Sequence, residues 1–277
     1  MAAIFDQMLA RYNVKIKTQE INALHEVMQQ ITLAALYRAD FFSNAAFCGG
    51  TCLRIFHKSP RFSEDMDFTL LEPDENFSLE KYFDTIYEEF QSHGRKIQIS
   101  LKSKQQQSTV ESAFLKDTTD IANLAFQTEP TVRIKIEVDT NPPSGFETEN
   151  KLLLLPYSFT TRCIDLKGLF AGKIHAFLFR NWKRRVKGRD WYDFEWYIRN
   201  DQPVDFNHLR ERSLQTGYSG DAPFTEEIVR KLLREKISST PISRVLDNVR
   251  PFIDEDQSLE IWSEEYFLQL VDMMRFV

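Results

Sequence analysis

Between residues 22 and 39, Leu24, Val27, Met28, Ile31, Ala35 and Leu36 recur at intervals of three and four, which predicts an amphipathic helix. The period then changes. Asn44-Ala45-Ala46-Phe47-Cys48 is a short apolar run that reads as a strand, and it stops at Gly49-Gly50, after which a helix is expected. From Asp65 the chain alternates, with Asp65, Asp67 and Thr69 on one face and Met66, Phe68 and Leu70 on the other, the period of a half-buried strand. A helix is expected over 79–92, closed by Gly94, and a strand over 96–102. The clearest strand covers 131–139: Val132, Ile134, Ile136 and Val138 face inward, while Arg133, Lys135, Glu137 and Asp139 face outward. It ends at Asn141-Pro142-Pro143.

After Pro156 the apolar positions keep a period near 3.6, and helices are expected over 164–180, 189–199, 206–214, 225–237, 242–249 and 264–276. Strands mixed with helices, followed by helices alone, predict an α/β or α+β domain over 1–160 and an all-helical domain over 161–277. A chain of 277 residues suits two such domains.

Composition narrows the class without changing this outline. Hydrophobic residues make up 42% of the chain and 23 phenylalanines supply large side chains to bury, while 9 glycines and 10 prolines are too few for a fibrous or disordered protein. Three cysteines, Cys48, Cys52 and Cys163, do not make a disulfide scaffold, and a reducing cytoplasm is expected. The amino terminus lacks the basic and apolar regions of a signal peptide, and no apolar run approaches the ~18 residues of a membrane span. A net charge of −6 argues against a protein that coats nucleic acid nonspecifically. The positive charge is nevertheless concentrated in Arg180, Lys183, Arg184, Arg185, Lys187 and Arg189, with Trp182 among them. Such a run either ends a solvated helix or receives a polyanion.

Candidate chemistry centres on Gly49-Gly50-Thr51 and Asp65-Met66-Asp67. A strand that runs into a glycine pair and then a helix presents backbone N–H groups to phosphate. Two carboxylates at i and i+2 on a strand project from one face. Hard oxygen donors without neighbouring imidazoles or thiolates suit Mg²⁺ or Mn²⁺ better than Zn²⁺. Cys48, Cys52 and His57 lack a fourth zinc ligand, so the cysteines read as buried small hydrophobes. Lys173 lies at helical spacing from Leu169, Phe170 and Phe177, so its ammonium leaves an apolar face and needs a partner, which a bound phosphate would supply. Asp190 and Asp193 share a helix face, where amino-terminal aspartates also favour the helix dipole. No Gly-x-Ser-x-Gly, Walker lysine loop or dinucleotide fingerprint is present.

Four stretches in order resemble the AbiEii/AbiGii nucleotidyltransferase family, a branch of the DNA polymerase β-like nucleotidyltransferases. They are Cys48-Gly-Gly-Thr-Cys-Leu-Arg54, Arg61-Phe-Ser-Glu-Asp-Met-Asp-Phe68, Ala171-Gly-Lys-Ile-His175 and Lys187-Gly-Arg-Asp-Trp-Tyr-Asp193. The resemblance covers 48–193 and implies a nucleotidyltransferase domain with a mixed sheet. It implies that Gly49, Gly50 and Thr51 hold a triphosphate, with Arg54, Arg61 and Ser63 as further phosphate contacts. Asp65 and Asp67 would ligate the metals, Lys173 would contact phosphate or the attacking group, and Asp190 would be the essential acid of the last motif. The wider superfamily adds a third carboxylate on a neighbouring strand, for which Glu137 is favoured over Asp139. It also implies a toxin of a toxin–antitoxin or phage-defence system, with NTP as substrate, a cognate antitoxin as partner and an RNA such as the tRNA 3′ end as acceptor. The cationic run at Arg180, Lys183, Arg184, Arg185, Lys187 and Arg189 would then bind that RNA.

Two other readings use the same residues. One is a noncatalytic nucleotide- or RNA-binding protein of this fold, and the other a nucleotidyltransferase that modifies a small molecule or a protein hydroxyl. The occupied acidic positions argue against the first, and the basic run does not favour a cationic small-molecule acceptor in the second.

Overall fold

The computed structural model describes residues 4–101, 110–117, 132–180, 186–216, 218, 223–253 and 259–277. Two compact units emerge. The first comprises Met1–His57, Phe62–Pro142 and Thr148–Cys163; the second comprises Lys58–Arg61, Pro143–Glu147 and Ile164–Val277.

The first unit is built on a seven-stranded mixed sheet among the described residues. Its strands are β1 (Ala45–Cys48), β2 (Met66–Leu70), β3 (Ile97–Leu101), β4 (Val110–Asp117), β5 (Arg133–Asp139), β6 (Thr148–Leu153) and β7 (Phe159–Ile164), in spatial order β3-β4-β5-β2-β1-β7-β6. β3, β4 and β5 pair antiparallel, as do β1 and β2, whereas β2 with β5 and β1 with β7 are parallel. The helices are α1 (Ile4–Leu9), α2 (Lys17–Arg38), α3 (Gly49–His57) and α4 (Phe83–Ser92). Helix α2 begins five residues earlier than its apolar period predicts, and Leu24, Val27, Met28 and Ile31 are all buried. The chain enters α4 through a 3₁₀ turn, Leu79–Tyr82, capped by the Ser78 hydroxyl, so the helix expected over 79–92 is split in two. An aromatic core forms where Phe41 meets Phe68 and Tyr82, each with ring centroids 5.0 Å apart, and Phe47 meets Phe68 at the same separation.

The expected alternation holds in β5: Ile134, Ile136 and Val138 are buried, while Lys135, Glu137 and Asp139 are half-buried. Two strands escape the apolar pattern. In β7 the inward positions include Thr161 and Cys163, which read as neutral to polar. In β6, the last strand in the order, Leu152 faces solvent while Glu149 and Lys151 are half-buried, an inverted pattern that an edge strand tolerates. Of β4, only Ala113 and Leu115 have a described burial, and both are buried.

The second unit is helical: α5 (Leu166–Phe179), α6 (Gly188–Arg199), α7 (Phe206–Gln215), α8 (Glu226–Ser238), α9 (Ile242–Val249) and α10 (Glu264–Met273). Asp165, Asp205, Thr225 and Ser263 each cap a helix with a side-chain oxygen, which satisfies an otherwise orphaned first-turn N–H. Phe170 of α5 stacks on Tyr197 of α6 at 4.3 Å, and Trp191 meets Phe267 of α10 at 4.7 Å. Gly188 opens α6 where α9 passes closely. A Cβ there would stand 2.8 Å from Val249 N, and Gly188 N–H donates to Asn248 Oδ1 at 2.8 Å. A mixed-sheet region followed by a helical region is the fold class that the change of period predicts. No helix among the described residues is long and apolar enough to cross a membrane.

Candidate active site

In the sheet unit, β1 delivers the chain to Gly49 and α3 starts there, so the first backbone N–H groups of α3 lack partners within the helix. Gly49 holds φ of +74°, a conformation that disfavours any Cβ. The space beside it is taken by Asp67, because Cys48 and Asp67 are register partners on β1 and β2. A Cβ on Gly49 would stand 3.0 Å from Asp67 Cβ and Cγ and closer still to Oδ2. On its other side β2 pairs with β5, and Asp67 is in register with Glu137 while Thr69 is in register with Asp139. Asp67 and Glu137 thus occupy adjacent positions on neighbouring strands, and Lys135 reaches Glu137 Oε1 at 2.6 Å.

The turn that presents Asp65 is fixed from two directions. Gln29 of α2, buried, donates through Nε2 to the carbonyls of Ser63 at 2.9 Å and Glu64 at 3.0 Å. Thr51 Oγ1 donates to the carbonyl of Asp65. The Thr51 hydroxyl thereby braces the turn that carries Asp65. Gln29 carries no chemical signature in the sequence, since a glutamine on an amphipathic helix reads as surface.

Arg54 and Arg61 each engage a protein carboxylate. Arg54 Nε pairs with Glu26 at 2.8 Å, and its guanidinium lies 4.2 Å from the Phe62 ring centroid. Arg61 is 2% exposed and belongs to the helical unit. Its Nε and Nη2 meet Asp193 Oδ1 and Oδ2, each at 2.5 Å, so this edge of its planar fork grips a carboxylate.

That fork is part of a cluster within the helical unit. Lys173 Nζ lies 2.8 Å from Asp190 Oδ1 and 2.7 Å from Asp193 Oδ2, which confirms that the two aspartates share a face of α6. The partner that its apolar surroundings demand is thus supplied by a pair of carboxylates. Burial alone would push the Lys173 ammonium down, but Asp190 and Asp193 outweigh it and hold the group above its ordinary value. Burial likewise works against ionised Asp193, yet Arg61 and Lys173 hold its carboxyl below the usual range. Asp190 Oδ2 is buried and accepts no hydrogen bond among the described residues.

Of the cationic run, Lys183, Arg184 and Arg185 lie outside the described residues. Arg180 follows the last residue of α5, Lys187 precedes α6, and the Arg189 guanidinium sits 4.2 Å from the Phe252 ring centroid. Cys52 and Cys163 are buried and Cys48 half-buried. No group of three His, Cys, Asp or Glu side chains suited to a metal stands together among the described residues. The acidic positions nevertheless fit a hard divalent cation in their chemistry: Asp67 and Glu137 are registered carboxylates on adjacent strands, with Asp65 immediately upstream.

Solved structures share this fold. JHP933 from Helicobacter pylori is 19% identical with a TM-score of 0.52, covering 91% of this chain and 89% of its own. A second structure from H. pylori, of a protein assigned to the nucleotidyltransferases, is 18% identical with a TM-score of 0.53, covering 90% of this chain and 91% of its own. MenT4, the nucleotidyltransferase toxin Rv2826c from Mycobacterium tuberculosis H37Rv, is 19% identical with a TM-score of 0.49, covering 94% and 78%. No curated protein matches the chain. The family model described as "Nucleotidyl transferase AbiEii toxin, Type IV TA system" matches residues 31–270, and the chain belongs to this family of nucleotidyltransferase toxins.

Proposed function

We propose that this protein transfers a nucleoside monophosphate from an NTP to an acceptor hydroxyl, with Asp65, Asp67 and Glu137 as its acidic centre beside the Gly49-Gly50-Thr51 turn. The observation that carries the reading is the register of Asp67, which places it beside Cys48 at the start of the glycine turn on one strand and beside Glu137 on the other. Asp65, Asp67 and Glu137 would hold Mg²⁺ or Mn²⁺, whose charge when bound offsets that of the triphosphate. The backbone N–H groups at Gly49, Gly50 and Thr51 receive phosphate oxygens, aided by the positive end of α3.

In the transfer, the acceptor oxygen forms a bond to the α-phosphorus and the bond from that phosphorus to the bridging oxygen breaks, releasing pyrophosphate. The hydroxyl proton passes to the Glu137 carboxylate. Glu137 is preferred to Asp139 because it is the one registered against Asp67. Most of the acceleration comes from charge placed in advance of the reaction and from orientation. Residues 1–160 act as the nucleotidyltransferase domain, and 161–277 form a helical domain that carries Lys173 and Asp190.

The acceptor in this reading is an RNA, with the tRNA 3′ end as first candidate, and the protein acts in the cytoplasm with a cognate antitoxin. Membership of a type IV toxin–antitoxin family supports the toxin role, and the basic residues Arg180, Lys187 and Arg189 with Lys183, Arg184 and Arg185 support a polyanionic acceptor.

The deciding experiment incubates the protein with Mg²⁺ and each α-labelled NTP in turn, offering total RNA, protein extract and small acceptors, with Asp67→Ala as control. Label in RNA that disappears in the variant supports the reading. Label in protein or a small acceptor would replace the RNA acceptor, and bound nucleotide with no label in any fraction would overturn the transferase itself.

A further inference from the structure

Asp65 and Asp67 are placed by different means. Asp67 lies inside β2, paired with Cys48 of β1 on one side and Glu137 of β5 on the other, so the sheet fixes its position. Both ladders stop short of Asp65: the pairing with β5 begins at Met66 and that with β1 at Asp67. Side chains hold the backbone there instead. Buried Thr51 donates through Oγ1 to the Asp65 carbonyl, and Gln29 Nε2 donates to the Ser63 carbonyl at 2.9 Å and the Glu64 carbonyl at 3.0 Å. Gln29 is 1% exposed, and a buried amide is tolerated in a core only where it meets such partners. A primary amide carries two N–H donors, enough to grip consecutive carbonyls of one turn at once. Gln29, Thr51, Ser63, Glu64, Asp65, Asp67 and Glu137 all belong to the sheet unit.

We infer that Gln29 is a positioning residue for the acidic centre: by gripping the Ser63 and Glu64 carbonyls from α2 it fixes where the Asp65 carboxylate stands relative to Asp67, and so sets the affinity for the divalent cation. Gln29 touches neither cation nor nucleotide, and its effect passes through the backbone of 63–65. Asp65 and Asp67 are half-buried, as ligands that must meet an ion from solvent need to be. The sheet holds one of the two carboxylates whatever α2 does, so loosening the turn changes their separation rather than moving them together. This inference rests on the transferase reading above, in which Asp65 is a metal ligand.

The test uses the full chain and Mn²⁺ alone as probe, with the free ion counted by electron paramagnetic resonance. Wild type is compared with Gln29→Met, Gln29→Asn, Asp65→Asn, the double variant Gln29→Met with Asp65→Asn, and Thr32→Val. Thr32 is buried on the same helix and donates to the Met28 carbonyl at 2.8 Å, so Thr32→Val is a polar-to-apolar change of the same kind away from the Asp65 turn. Gln29→Met keeps the length of the side chain and removes both donors. Its Kd for Mn²⁺ is expected to rise at least about 10-fold, the scale on which losing the support of a ligand weakens a metal site. Gln29→Asn, with its amide one methylene shorter, falls between, and Thr32→Val binds Mn²⁺ as wild type does even if its urea midpoint drops. Equal Kd values for Gln29→Met and wild type, whatever the loss of stability, would reduce Gln29 to a packing role and overturn the inference. If Gln29→Met does not fold, Gln29→Asn carries the test, and a wild-type Kd there overturns it.

The double variant asks whether Gln29 acts through Asp65. Adding Gln29→Met to Asp65→Asn is expected to weaken Mn²⁺ binding by no more than about twofold, because the carboxylate being positioned is already lost. Losses that multiply in full would place the action of Gln29 elsewhere and overturn the inference. Binding is read without transfer, so a wild type that binds Mn²⁺ but labels no acceptor fails the transferase reading while these comparisons still decide the role of Gln29. A wild type that binds no Mn²⁺ removes the ion from the acidic centre and the role of Gln29 with it.

Discussion

The side chain of Asp67 occupies the space that a Cβ on Gly49 would need, and the two residues are held together because β1 and β2 pair Cys48 with Asp67. Gly49→Ala therefore meets two penalties at once, a left-handed φ of +74° and a collision with the carboxylate. The backbone penalty alone is about 1–2 kcal/mol. Urea denaturation is expected to show at least that loss, and transfer activity should fall further because Asp67 must shift. An alanine variant with wild-type activity would mean that the position of Asp67 is immaterial.

Asp67→Asn keeps the shape of the side chain and removes its charge, so the fold should persist while the acidic centre weakens. Activity is expected to drop by at least about 100-fold, in keeping with loss of a principal electrostatic contribution. Thermal melts with and without Mg²⁺ provide an independent check. Wild type should be stabilised by the ion through binding to the folded state alone, and the variant should not.

Arg61 and Asp193 form a buried pair, with side chains 3% and 0% exposed, whereas Arg234 and Asp272 pair at the surface, with side chains 41% and 64% exposed. Removing one member of the buried pair strands the other charge, so Asp193→Ala is expected to cost about 3–5 kcal/mol. Asp272→Ala should cost about 1 kcal/mol or less. Equilibrium unfolding in urea measures both, and equal costs would contradict the burial of the Arg61 pair.

The pH dependence of stability follows from five groups whose shifts have a clear direction. Burial pushes His57 and His208 down to about 4 and His175 to about 3, with Lys151 adding to the effect at His57 and Arg212 at His208 and His175. From the ordinary value of 6.5 downward, the unfolded chain binds protons that the folded chain refuses, so stability is full above 6.5 and falls as pH drops toward 4. Asp193, held below 3.8, contributes stability that is present above that pH and lost only in stronger acid. Lys173, held above 10.5, contributes stability that is complete below that pH and lost as pH rises through its folded value. A plateau between roughly pH 7 and pH 10 is therefore expected. Replacing His175 and His208 together by glutamine should flatten the acidic slope, as read from urea midpoints at each pH.

The sequence by itself determined the features that depend on chain-local periodicity. The alternation that buries Met66, Phe68, Ile134, Ile136 and Val138 follows from side chains pointing to opposite faces of a strand, and the six helices after Pro156 follow from their apolar stripes. The order of the acidic and glycine motifs was equally legible, because it is a property of the chain. Strands β6 and β7 were not, because the edge strand β6 reverses the usual placement of Leu152 and Lys151, and Thr161 and Cys163 of β7 are buried without being strongly apolar.

Tertiary structure alone decided which charges meet. Glu137 rather than Asp139 stands beside Asp67 because of strand register, a choice between two positions of one face that each strand's own alternation leaves open. Arg61 pairs with Asp193 across 132 positions of chain, and Gln29 reaches the Ser63 carbonyl across 34. Periodicity says which face a side chain leaves from. A partner so distant in sequence is fixed only when packing brings the two surfaces together and burial makes an unpaired charge too costly to keep.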